Sequence, residues 1–137
     1  MEKELKEYSK LQGTEENVVF VGFLNNVKDL LMDIDLFILP SLWEGFGYVV
    51  AEASACKKPV IAFNVSSLPE LIQEGKTGYL VPVNDVDVTV ERIQRLKDPI
   101  LREKMGENGF EYCNQTFEKS KITKQLENYF NDMVALK

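Results

Sequence analysis

Two carboxylates eight residues apart, Glu44 and Glu52, carry the most informative chemistry in this chain. They bracket the run Pro40-Ser41-Leu42-Trp43-Glu44-Gly45-Phe46-Gly47-Tyr48, which leads from a strand-like apolar segment into a helix rich in small residues. On a continuous helix that spacing is about 12 Å of rise and roughly 80° of rotation. Groups so placed cannot share a proton or pinch one small ion, but they can grip two ends of an extended polar ligand. A carboxylate accepts from two adjacent hydroxyls at once, the geometry of a ribose or hexose diol, and such charge-assisted bonds are strong. Gly45 and Gly47 let the backbone approach a ligand closely, and the free amides of the next helical turn face any anion or hydroxyl in front of them. The blander reading is that Glu44 is a solvated loop charge and Glu52 a solvated helix charge, although Ala51, Ala53 and Ala55 make that helix look packed. Trp43, Phe46 and Tyr48 are able to stack on a sugar face, while Trp43 fits a core position equally well.

Other chemistries are excluded by composition. The chain has no histidine, so a Ser-His-Asp triad, a Cys-His dyad and histidine-ligated metals cannot be built within it. Sixteen Lys and Arg against 22 Asp and Glu give a net charge of −6, which disfavours nucleic acid and anionic membrane surfaces. Cys56 and Cys113 form no CxxC, so neither a zinc cluster nor a disulfide framework is indicated, and Cys56 reads as a small packed residue. The charged opening Met1-Glu2-Lys3-Glu4 carries no signal peptide, and no apolar run is long enough to span a bilayer. A reduced, cytoplasmic setting is expected.

The elements that must position the carboxylates follow from apolar patterning. Four short runs, Val18 to Val21, Leu36 to Leu39, Val60 to Phe63 and Tyr79 to Val83, are apolar without strict alternation. Strands buried on both faces of a parallel sheet read this way. Between them Val27, Leu30, Leu31 and Ile34 repeat at helical spacing, and Val49, Val50, Ala53 and Ala55 form a second helix. Ser67-Leu68-Pro69-Glu70 has the form of a capping box. The expected fold is α/β: a Rossmann-like parallel sheet of about four strands with flanking helices, cut at its front, with a helical C-terminus. Val86, Val90, Ile93 and Leu96 make one helical stripe, stopped at Asp98-Pro99. A second helix from Pro99 carries Leu101 and Met105 and should weaken at Gly106 and Gly109. A third stripe runs from Ile122 to Val134. With no linker, repeat or low-complexity tract, residues 1–137 read as a single, partial domain. Ligands of such sheets bind at the carboxyl ends of the strands, where Glu44 lies.

The segment resembles the signature of the family-four retaining glycosyltransferases, glycosyl transferases group 1, with the GT-B fold. The likeness rests on Pro40-Ser41, Glu44 to Gly47 and the second glutamate at Glu52. It continues through Glu52-Ala53-Ser54-Ala55, Pro59-Val60-Ile61-Ala62, Pro69-Glu70-Leu71-Ile72 and Gly75-Lys76-Thr77-Gly78-Tyr79-Leu80-Val81. Upstream, Val19-Phe20-Val21-Gly22-Phe23 and Asp35-Leu36-Phe37-Ile38-Leu39-Pro40 also fit, so residues 17 to 118 are covered in order.

The resemblance implies the donor-binding, C-terminal half of an enzyme that transfers a hexose from a nucleotide-diphosphate sugar to a hydroxyl, in polysaccharide or glycoconjugate biosynthesis. Glu52 would accept from the ribose hydroxyls and Glu44 would hold a hydroxyl of the transferred sugar. Backbone around Gly45, Phe46, Gly47 and Tyr48 would contact sugar and phosphate, and Leu24 and Asn26 would line the base. No metal and no cofactor are expected, the diphosphate being neutralised by basic side chains and helix-terminal amides. The family's Arg and Lys for that diphosphate lie upstream of the strand matched by Val18 to Val21, and the acceptor binds an N-terminal domain; both are missing here, so the chain alone is expected to be inactive. The full-length enzyme is expected in the cytoplasm, with peripheral membrane attachment left open. Lys57 departs from the family's usual glycine, and Ser66-Ser67-Leu68 is less glycine-rich than usual.

The rival expectation is a non-catalytic α/β module that self-associates through an exposed sheet edge or the C-terminal helix. A glycoside hydrolase with paired carboxylates is a weaker third. Gly75-Lys76-Thr77 mimics the end of a P-loop, but Glu70 stands where its first glycine should be and a strand-like run follows. Asn64-Val65-Ser66 and Asn114-Gln115-Thr116 match a glycosylation pattern that means little without a secretion signal.

Overall fold

A strand that is apolar without alternation has to be covered on both sides, and this requirement sets the layers of the molecule. The structure, a computed structural model, describes residues 2–117. Its elements are α1 (Glu2–Leu11), a 3-10 turn (Glu15–Asn17), α2 (Val27–Asp33), β1 (Phe37–Leu39), α3 (Tyr48–Ala55), β2 (Val60–Phe63), α4 (Leu68–Leu71), β3 (Gly78–Val81), α5 (Val86–Arg95) and α6 (Pro99–Phe117). The three strands are parallel in the order β1-β2-β3, with Phe37 opposite Val60 and Val60 opposite Gly78. All four residues of β2 are buried, and alternate side chains enter different clusters. Val60 and Ala62 pack with Leu31, Val50, Ala53, Leu68, Leu71 and Ile72. Ile61 and Phe63 pack with Tyr79, Val81, Leu96 and Met105. The α/β architecture with a parallel sheet and flanking helices is thus the one expected. Among the described residues no helix is long and apolar enough to cross a membrane. The stripe from Ile122 to Val134 lies outside the described residues.

Two expectations are corrected. The run Val18 to Val21 is not a strand. Val18 has extended backbone (φ −117°, ψ 121°), yet Val19 is 82% exposed and the run joins no ladder. Local propensity supplies the conformation, but a strand exists only when a neighbour accepts its hydrogen bonds. The segment packs instead toward α1, where Lys6 Nζ sits 5.4 Å from the centre of the Phe20 ring.

The second correction concerns α6, which runs unbroken through Gly106 and Gly109. Their missing side chains serve a close approach rather than a break. A Cβ on Gly106 would stand 2.0 Å from the Lys57 carbonyl oxygen, and Gly109 is buried beside Thr77 and Ser54. The end of α3 is what α6 presses upon. Lys57 takes the left-handed conformation (φ 56°), and the Lys57 and Lys58 amides donate back to Ser54 and Ala53 at 2.9 Å each, a Schellman closure. A side chain where glycine is favoured is offset by contacts to α6: Lys57 Nζ lies 3.4 Å from Glu107 and 5.6 Å from the centre of the Phe110 ring. Asp98 accepts from the Ile100 amide at 2.9 Å to cap α6, and Arg102 bonds the Leu96 carbonyl at 3.0 Å and Asp35 at 3.1 Å.

Gly106→Ala should therefore destabilise the fold by about 1–3 kcal/mol through overpacking, although alanine is the better helix former. Urea unfolding measures it, and an unchanged or raised midpoint would show that α6 does not bear on α3 as described.

Candidate functional site

The loop from Pro40 to Gly47 leaves the carboxyl end of β1 and must reverse into α3 within a few residues. Gly47 makes the reversal as the residue preceding α3, with φ 83° and ψ 47° and no side-chain cap. That conformation is open to glycine at little cost, and the missing cap leaves the first-turn amides of Tyr48 and Val49 for a ligand. Gly47 is buried under α4: an added Cβ would lie 3.0 Å from both Leu68 Cδ2 and Leu71 Cδ1.

The start of α4 holds the other side of the loop. Ser67 is not the first half of a capping box, because it makes no side-chain cap and its hydroxyl donates to the Glu44 carbonyl at 3.4 Å. The hydroxyl that sequence assigned to α4 therefore steadies the backbone of Glu44. The Glu70 carbonyl accepts from the Tyr112 hydroxyl at 2.8 Å, which ties this support to α6.

Glu52 stands one turn into α3, exposed on the side facing α2. It helps line a cavity of about 510 Å³ with Asn25, Asn26, Val27, Lys28, Leu31, Ala55 and Cys56. Asn26 donates through Nδ2 to Asp29 Oδ2 at 2.7 Å, which fixes the orientation of its amide. The reverse side of α3 is braced by Cys113, whose thiol donates to the Ala51 carbonyl at 3.9 Å and is pushed up in pKa by burial. Cys56 is half-buried and packs against the core while lining the cavity.

The structure thus joins two of the sequence-derived site residues, Glu52 and Asn26, in one cavity. Glu44, Gly45, Phe46, Gly47 and Tyr48 form the adjacent turn and do not line that cavity, nor does Leu24. Asn25 and Lys28 were missed; the signal available was the polar group around Asn26 just before a helical repeat. Trp43 is 75% exposed, which removes its core reading. The Gly75-Lys76-Thr77 segment is a turn into β3, with Gly75 at φ 72° and the Thr77 hydroxyl accepting from the Gln73 amide at 2.9 Å. Among the described residues no group of three or more carboxylates and thiols is placed to hold a metal.

A parallel sheet with a glycine turn and an uncapped helix start at a strand's carboxyl end, beside a cavity, is the arrangement of open α/β folds, whose ligands bind at that edge. The family model described as glycosyl transferases group 1 matches residues 1–112, and the chain belongs to that family. It is 42% identical over 121 residues to the N-acetyl-alpha-D-glucosaminyl L-malate synthase of Bacillus anthracis, covering 88% of this chain and 32% of that protein. Among solved structures, the sucrose-phosphate synthase of Thermosynechococcus elongatus aligns with a TM-score of 0.86 at 29% identity, over 98% of this chain and 35% of the other. Anabaena HepE in complex with UDP-glucose aligns with a TM-score of 0.83 at 26% identity, over 95% of this chain and 36% of the other. The chain spans about a third of the length of the relatives it matches.

Gly47→Ala should cost about 1–3 kcal/mol, since left-handed strain adds to crowding by two leucines. It should also loosen the turn, seen as faster amide exchange at Val50 and Ala51, which donate to the Gly47 carbonyl. Exchange unchanged from the parent would mean that Gly47 does not set this turn.

Proposed function

We propose that this chain is the donor-binding, C-terminal part of a retaining glycosyltransferase that moves a hexose from a nucleotide-diphosphate sugar to a hydroxyl acceptor. The observation that carries the reading is the placement of Glu52 on a cavity with Asn25, Asn26 and Lys28, beside the uncapped start of α3. Family membership and the UDP-glucose complex of HepE support it and favour uridine as the base. In this reading Glu52 accepts from the ribose hydroxyls, and Asn26 and Leu24 lie along the base. The amides of Phe46, Gly47 and Tyr48 meet the phosphates and sugar, and Glu44 holds a hydroxyl of the transferred hexose. Amides fixed by the turn stabilise charge as it develops on the leaving diphosphate without having to reorganise. No metal is assigned to the reaction. In this reading the acceptor binds an N-terminal domain, and the Arg and Lys that neutralise the diphosphate belong to the donor domain, upstream of Val18.

One observation favours a second reading, self-association. Phe37 donates to the Pro59 carbonyl at 3.0 Å, so the polar backbone of Ile38 turns to the opposite, open edge of β1. Ile38 is 38% exposed there. An unpaired edge of this kind is a template for another chain.

Isothermal titration with UDP, GDP and ADP should find UDP bound most tightly, and Glu52→Gln should weaken it about 10- to 100-fold, as expected for losing a charge-assisted pair. No binding of any nucleotide at millimolar concentration, or full affinity in Glu52→Gln, would defeat the assignment. Light scattering decides the second reading: a concentration-independent monomer rules it out.

A further inference from the structure

We propose that the indole of Trp43 is the platform on which the pyranose ring of the donor's sugar stacks. The inference rests on the donor-binding reading above and extends it to a residue that reading does not use. Trp43 is the single tryptophan of the chain and is three-quarters exposed in the loop between β1 and α3. Its Cη2 lies 3.6 Å from where a Cβ on Gly45 would stand, so the ring lies along a residue that has no side chain to cover it. Leaving an indole in water forgoes the burial of one of the largest apolar side chains, and the same chain fully buries Ile61, Leu68 and Leu96. The other aromatic residues of the turn, Phe46 and Tyr48, have each other, with ring centres 4.9 Å apart.

The neighbour of Trp43 makes the choice of occupant. A pyranose presents hydroxyls around its edge and C–H bonds on its face. A carboxylate at Glu44 answers the first and an indole answers the second. An apolar protein surface would need the indole and would be penalised by the carboxylate. The two at adjacent positions fit the edge and the face of one sugar ring, and because Glu44 is read above as holding a hydroxyl of the transferred hexose, that ring is the donor's sugar.

The single tryptophan makes the chain its own probe. Titration with UDP-glucose should shift the tryptophan emission to shorter wavelength, whereas UDP and methyl glucoside should not. By calorimetry, Trp43→Ala should weaken UDP-glucose about three- to tenfold relative to UDP, and Trp43→Phe should keep most of the preference. If Trp43→Ala binds both ligands as the parent does, the inference falls while the donor reading stands. A response to methyl glucoside in the presence of UDP, with none to UDP-glucose, overturns the assignment to the donor and moves the platform to the acceptor. An emission shift that depends on protein concentration alone, with a dimer by light scattering, gives the face to a second copy and overturns it too. If neither UDP nor UDP-glucose binds, both readings fall together.

Discussion

Gly47 has to satisfy three demands at once, and the rest of the ligand edge depends on its doing so. It turns the chain through a left-handed conformation, leaves the start of α3 without a side-chain cap, and admits Leu68 and Leu71 to within contact of its backbone. A side chain at this position would strain the first, and its bulk would break the third. Because α4 is seated on the turn, Ser67 reaches the Glu44 carbonyl, and α4 is in turn held by Tyr112 of α6. The loop that carries Glu44 is thereby connected to the longest helix of the described residues through a chain of hydrogen bonds and leucine contacts. Its geometry is set by Gly47 and by the core packed on it.

How much of this was legible in the sequence differs by the kind of interaction. β2 matches its apolar run residue for residue, since a strand buried on both faces has no other way to look. The helix starting after Gly47 and the turn before β3 were also readable from glycine placement and small-residue spacing. What misled was local pattern without its partner. Val18 to Val21 has the composition of a strand and Val18 an extended backbone, but pairing is a property of two segments. Ser67 and Glu70 have the spacing of a capping box, but a tertiary acceptor at Glu44 captured the hydroxyl. Gly106 reads as a helix weakness until the Lys57 carbonyl is placed against it. Of the site, the turn and both glutamates stood out by type and spacing. Asn25 and Lys28 did not, because lining a cavity with Glu52 requires α2 and α3 to lie side by side, which no spacing encodes.

Large apolar side chains are exposed in several places: Phe23 is 92% exposed, Val19 and Leu11 82%, Ile100 76% and Val86 69%. At the sheet, Ile38 of β1 is 38% exposed, while α5 packs against β2 and β3, with Arg92 4.9 Å from the centre of the Tyr79 ring. The second reading proposed above, self-association, would use the outer edge of β1, where the backbone of Ile38 has no strand partner among the described residues.

Charge gives the division of labour its physical logic. A donor of this type is neutral and rich in hydroxyls at its two ends and strongly anionic in the middle. The chain offers carboxylates, Glu52 and Glu44, which suit hydroxyls and repel phosphate. Toward the middle it brings only the dipolar start of α3 and, in the cavity lining, Lys28. Amides at a helix start stabilise an anion by a fraction of what a buried cation contributes. In the donor-binding reading, a chain of net charge −6 would hold the hydroxyl ends of such a ligand better than its diphosphate.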